Sequence, residues 1–246
     1  QGFNLMFSYV ESEYKKGSTL PKIVREKNTE GIIFIHEIDT QLVKDIESRG
    51  IPVVAVDNYP KMEGLNTVQT DNEQGGKEAV LHLAGLGHSR IGILFAAEDR
   101  PSIAGRIQGY LSMEKLHNLT ISMNRCNSLT FEDGFKETQK LLSKKKHPTA
   151  LVCVNDEMAA GAIRAAHSLG LSVPDDISIV GFDNIIMSNY TDPPLTTIGS
   201  DKEEMGILAV KRLGELIKDK TSSGLAENII KIELIVRESS GPALLS

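Results

Sequence analysis

Tryptophan is absent from this chain, and aromatic residues make up only 5% of it. No indole is available to stack on the face of a sugar. Cysteine is scarce: two in 246 residues, Cys126 and Cys153, with no CxxC. That excludes a disulfide framework, and Cys153, inside an apolar run, reads as a small buried hydrophobe. Positive charge is not in excess either. The formal net charge is -6, so the bulk field of the chain repels nucleic acid. No stretch approaches the apolar length of a membrane span, and no signal peptide is expected. The expectation is a cytoplasmic protein with no membrane partner.

The motifs of catalysis are missing as well. No GxGxxG follows a strand, no GxxxxGK[ST] occurs, and the six histidines form neither HExxH nor a metal-ligand cluster. GHSRI at residues 87–91 resembles a nucleophile elbow but lacks its last glycine. No catalytic residue, cofactor or metal is expected, and the chain is not read as an enzyme.

What is present is alternation. Residues 150–154 are a uniformly apolar run, as in a parallel strand buried on both faces, and they stop at Asn155 and Asp156. Asp156 reads as the N-cap of a helix whose apolar side carries Met158, Ala159, Ala162, Ile163, Ala166 and Leu169, with Gly170 closing it. A second buried strand, residues 177–181, ends at Phe182 and Asp183. This is a βαβ unit. Ligands of open α/β sheets bind outside the carboxyl ends of the strands, where Asn155 and Asp183 stand. An amide and a carboxylate there suit a small polyhydroxylated or heterocyclic ligand. The plainer alternative is that Asn155 caps the helix and Asp183 begins a turn.

The pattern repeats along the chain. Residues 3–8 read as an opening strand, residues 19–28 as a helix, 32–35 as a strand ending beside His36, and 39–49 as a helix stopped by Gly50. The buried strand at residues 51–56 ends in Asp57 and Asn58. Asp71 caps a long helix through Leu86, with Gly75 and Gly76 in its first turns. After the strand at residues 91–96, Arg100, Ser102 and Arg106 cluster in a loop and the start of a helix. A guanidinium placed there makes bidentate bonds that lysine cannot make. The basic run at residues 144–147 reads as a solvated helix end. NYTDPPLTTIGS, residues 189–200, is stiff and extended, suited to crossing between lobes. The tail from Glu238 is expected to be loosely held. The rhythm breaks near residues 66–71, which implies two parallel-sheet lobes.

Four phrases carry a resemblance: TDNEQGGKEAVLHLAGLGHSRIGIL from Thr70, AGRIQGY from Ala104, LVCVNDEMAAGAIRAAHSLGLSVPDDISIVGFDN from Leu151 and DPPLTTI from Asp192. In these the chain resembles the lactose/galactose repressor (LacI/GalR) family of bacterial transcription regulators, from Gly2 to about Arg237. The resemblance implies an α/β fold of the periplasmic-binding-protein-like type I. Two Rossmann-like lobes are joined by three crossovers, with a ligand cleft between them. Residues 1–69 with 199–232 would form the amino-terminal lobe, and residues 70–198 with 233–246 the other. It implies a homodimer that binds operator DNA through a helix-turn-helix headpiece not present in this chain. The opening strand matches the family's second, so the first strand and helix are also expected to lie outside it. By position, Asp57, Arg106, Asn155 and Asp183 match residues that hydrogen-bond the effector. Arg100 and Ser102 match less constant contributors, Leu129 matches a stacking position, and Ser200 a crossover residue that sometimes touches ligand.

The expected function is effector sensing by a repressor, the effector being a sugar, a sugar phosphate or a purine. Two other readings share the residues. A periplasmic sugar-binding protein of a transport system has the same fold and cleft. Asp57 and Asp183 also suit paired acid–base catalysis, although Asn155 and Arg106 beside them favour binding.

Overall fold

Apolar runs four to six residues long, each closed by a polar residue, become parallel strands here, and amphipathic runs between them become helices. The computed structural model describes residues 4–9, 14, 19–26, 28–35, 38–57, 62, 64–218 and 227–243. In chain order the first half gives α1 (Lys22–Arg25), β1 (Ile32–Ile35), α2 (Thr40–Glu47), β2 (Val53–Val56), β3 (Asn66–Thr70), α3 (Asn72–Gly85), β4 (Arg90–Phe95), α4 (Pro101–Leu116) and β5 (Thr120–Arg125). The second half gives α5 (Phe131–Leu142), β6 (Ala150–Cys153), α6 (Asp156–Ser168), β7 (Ser178–Phe182), β8 (Thr196–Ser200), α7 (Lys202–Lys218), β9 (Glu227–Ile230) and β10 (Ile232–Ile235).

The chain divides into two units. The first comprises Gln1–Gln69 and Lys202–Ile230, the second Thr70–Asp201 and Lys231–Ser246. The first unit holds a four-stranded sheet in the order β1-β2-β3-β9, with β1, β2 and β3 parallel. All four residues of β2 are buried because both its faces are covered. Val53 and Ala55 pack with Leu42, Val43 and Ile46 of α2, while Val54 and Val56 pack with Ala209 and Leu213 of α7. Asp39 caps α2 by accepting from the Gln41 amide at 2.7 Å.

The second unit holds a six-stranded sheet in the order β10-β8-β7-β6-β4-β5, parallel except for β10. From β4 the chain goes out to β5 and returns to β6 on the other side of β4. The strand order therefore reverses between β4 and β6, which opens a crevice at their carboxyl ends. The helices flanking this sheet approach one another closely. A Cβ on Gly76 of α3 would lie 2.4 Å from the Arg106 carbonyl oxygen of α4, and one on Gly109 would lie 2.2 Å from that of Glu73. Glycine at both positions lets the two backbones touch, which fixes where α4 projects Arg106.

Several local expectations are corrected. Asn4–Tyr9 forms no strand, and Leu5, Phe7 and Tyr9 are exposed. An apolar run becomes a strand only where a neighbouring strand takes its hydrogen bonds, and none of the described ladders includes it. The helix expected over residues 19–28 is confined to four residues, Lys22–Arg25, because Pro21 is its cap and only Val24 is buried. The segment at residues 189–200 does not cross between units, because its second half is β8, parallel to β7.

The tail is strapped down rather than loose. The Ser239 hydroxyl donates to the Ile179 carbonyl at 2.6 Å, and the Ala243 amide to the Leu86 carbonyl at 2.8 Å. His88, buried, contacts Thr149, Ser178 and the Gly241 carbonyl, each at 3.0 Å. Burial lowers the pKa of His88 against a smaller upward pull from that carbonyl.

Candidate functional site

The centre of the site is Arg106, on the second turn of α4. Its residue is only 6% exposed, a placement that a permanent cation tolerates only if its donors are satisfied. They are. Nε donates to Asn72 Oδ1 at 2.9 Å, one terminal nitrogen donates to the Val154 carbonyl, and the other to Asp183 Oδ1 at 2.7 Å. The guanidinium carbon lies 3.7 Å from the centre of the Phe182 ring, a cation–π contact. Phe182 fits there because α3 has glycine opposite it: a Cβ on Gly75 would meet the ring at 2.6 Å.

Asp183 follows β7 with φ at 101°, and Asn184 after it has φ at 46°. Neither is glycine, and residues held in that region cluster at ligand-binding sites. The Asp183 side chain is 36% exposed. One of its oxygens is held by Arg106, and three of the five N–H donors of Arg106 are used inside the protein. Donor and acceptor capacity thus stand side by side at one strand end.

Asn155 stands two residues after β6, next to Val154. It, rather than Asp156, is the N-cap of α6: Oδ1 accepts from the Met158 amide at 2.9 Å, while Nδ2 donates to the Leu129 carbonyl at 2.9 Å. The capping alternative is therefore what Asn155 does here. Asp156 instead turns inward. Only 1% exposed, its carboxylate accepts from the hydroxyls of Thr197 and Ser188 and from the Ile185 amide. Burial pushes its pKa up to about 6, against the downward pull of those hydrogen bonds and with a further upward push from Asp183.

The remaining expected residues are distributed as follows. Arg100 is the backbone N-cap of α4, and Ser102 is buried in its first turn. The Leu129 side chain packs on the hydrophobic core of the second unit, leaving its carbonyl to Asn155. Ser200 ends β8, and its hydroxyl accepts from Thr70 Oγ1 at 3.3 Å. Asp57, with φ at 63°, ends β2 and belongs to the first unit, whereas the others belong to the second. His36 and Asn58 lie outside the described residues. The structure thus joins Arg106 to Asp183 and Asn155 to Leu129 by direct hydrogen bonds.

Asn72, Phe182 and Val154 were not anticipated. The signal for Asn72 was present in the TDN phrase, but an asparagine at a helix start reads first as local capping.

Among the described residues no group of three or more His, Cys, Asp or Glu side chains is arranged to hold a metal ion, and no helix is long and apolar enough to cross a membrane. Both thiols are buried, and burial pushes that of Cys126 up to about 12 and raises that of Cys153, which disfavours the thiolate at each.

Comparison with known proteins gives a consistent answer. The model of the periplasmic binding protein-like domain matches residues 80–240. The transcriptional repressor PurR of Aliivibrio salmonicida, of the helix-turn-helix type, is 35% identical over 224 residues, 89% of this chain and 67% of that protein. A LacI family regulator from Enterococcus faecium, solved with bound ribose, superposes with a TM-score of 0.83 at 27% identity, covering 92% of this chain and 84% of that one. The lac repressor dimer, solved bound to operator and an anti-inducer, superposes with a TM-score of 0.77 at 27% identity, covering 88% and 76%.

Proposed function

The chain belongs to the LacI family of transcription regulators, whose members sense small molecules and are not enzymes, and we propose which of its residues grip the effector. Asp183 and Arg106 form the fixed part of the grip. Asn155, Arg100 and Ser102 line it from neighbouring strand ends and the start of α4, with Leu129 and Ser200 at its margins. Asp57, after β2 in the first unit, is proposed as a further effector contact. In that arrangement effector binding favours one disposition of the units over another, and only this difference in affinity shifts the population.

The observation that carries the reading is the buried guanidinium of Arg106, held on Phe182 and bonded to a strand-end carboxylate with left-handed backbone. A pair fixed this way presents an acceptor and donors in set directions, which suits adjacent hydroxyls, a sugar phosphate or a purine edge. Ribose in the enterococcal relative puts pentoses first among these. Homodimerisation and operator binding accompany this reading, as in the lac repressor dimer on its operator, and the setting proposed with them is cytoplasmic.

The test is a thermal-shift panel of D-ribose, D-glucose, D-glucose 6-phosphate, adenine and guanine. A true effector at a hundred times its Kd adds about 2.7 kcal/mol of stability. Asp183→Ala should abolish that shift while leaving the unliganded protein folded. An unchanged shift and midpoint in this variant would refute the assignment.

A further inference from the structure

We infer that Asn72 is a positioning residue that carries the state of the effector site to the points where the chain passes between its two units. This rests on Arg106 gripping the effector, as proposed above.

Asn72 opens α3 two residues after β3 ends. Its amide is used in both directions. Oδ1 accepts from Arg106 Nε at 2.9 Å, and Nδ2 donates to the Thr70 carbonyl at 3.1 Å. Aspartate would keep the first bond and lose the second, because a carboxylate has no donor. Room for Asn72 against α4 comes from Gly105, where a Cβ would stand 3.1 Å from that of Asn72.

Thr70 is the first residue of the second unit, where the chain arrives from Gln69. Its hydroxyl donates to Ser200 Oγ at 3.3 Å, and Ser200 stands one residue before Asp201, where the chain leaves that unit. Ser200 in turn pairs across the β8–β10 ladder with Ile232, one residue after Lys231, where the chain returns. All three passages therefore meet in one cluster of Thr70, Ser200 and Ile232. Asn72 ties that cluster to the guanidinium. The other anchors of Arg106, the Val154 carbonyl, the Phe182 ring and the Asp183 carboxylate, belong to strand ends of the core. Phe182 and Asp183 reach β8 only at Ile198, where the Asp183 amide donates to the carbonyl at 2.7 Å, whereas the Nε bond leads through Asn72 to Thr70 and so to Ser200.

The test is hydrogen–deuterium exchange with the panel compound giving the largest wild-type thermal shift. In the wild type, binding should slow exchange in peptides covering residues 68–72 and 198–202. Asn72→Asp should lose that slowing in both peptides while its affinity falls less than about tenfold, or 1.4 kcal/mol. Thr70→Val, which removes only the hydroxyl bond to Ser200, should bind as the wild type does. It should lose the slowing at residues 198–202 alone. A purely local turn role for Asn72 predicts no such order. Equal slowing in the wild type and Asn72→Asp overturns the inference, as does absence of slowing in a wild type that binds. Should Asn72→Asp not fold, Thr70→Val decides: full slowing at residues 198–202 refutes the relay. If no panel compound shifts the wild type, the effector reading itself fails and the inference with it.

Discussion

Replacing Asp156 by asparagine should flatten the pH dependence of stability in a calculable way. The carboxyl group is buried against β8 and the turn at residues 185–188, and its pKa rises from 3.8 to about 6. Desolvation is the largest cause, and three hydrogen bonds oppose it. Because the folded value lies above the unfolded one, the native state binds this proton more tightly. The stabilisation is complete below about pH 4 and is lost as pH rises through about 6. Taken at 1.36 kcal/mol per pH unit, the gap between 3.8 and about 6 is worth about 3 kcal/mol. Asparagine keeps the shape. Its oxygen can face the Ile185 amide and Ser188 hydroxyl while its NH2 donates to Thr197, whose hydroxyl turns round to accept. Urea unfolding of both proteins from pH 4.5 to 8 isolates this group together with its coupling to Asp183, since groups remote from it cancel between the two. The difference between them should move in favour of Asp156→Asn by about 2–3 kcal/mol as pH rises. Curves that stay parallel to within about 0.5 kcal/mol would show that the buried charge is not strained there.

Three further outcomes are expected. Gly161→Ala sets a Cβ 2.1 Å from the Phe131 carbonyl oxygen of α5, backbone that cannot step aside, and should cost about 1–3 kcal/mol in chemical denaturation. The Tyr110 hydroxyl is buried with no hydrogen-bond partner among the described residues, so Tyr110→Phe should raise the unliganded stability by about 1 kcal/mol. A lower melting temperature in that variant would contradict the unpaired hydroxyl. His88 titrates in the opposite sense to Asp156. Its depressed pKa means that stability present above about pH 6.5 is lost on acidification. His88→Gln should show a shallower loss below that pH, and an unaltered acid slope would remove His88 from the account.

How much of this was legible depended on how far each partner lay along the chain. Strands β4, β6 and β7 of the second unit could be read because each is a mainly apolar run with a polar stop, a pattern complete within a dozen residues. β6 followed by Asn155, and β7 followed by Asp183, are such cases. The choice of cap at α6 was not local. Asn155 and Asp156 are equally good caps by type, and the tie is broken by Thr197 and Ser188, more than thirty residues on, which draw Asp156 inward. The same holds for the tail. Its Ser-Ser-Gly-Pro composition reads as loose chain, yet its partners are His82, Ser178 and His88, brought to it only when the sheet closes.

The site follows the same rule with one addition. Arg106 and Asp183 were found because residue type and strand-end position suffice to nominate them. What makes the pair a rigid device is the set of contacts around it: the Phe182 face, the space left by Gly75 and the amide of Asn72. Each of these has an ordinary local explanation in sequence, as a strand residue, a small helix residue and a helix start. The functional meaning appears only where the three elements bearing them cross. Polar residues at strand ends announce a site in the sequence, whereas the residues that hold them in register are recognised only from the packing.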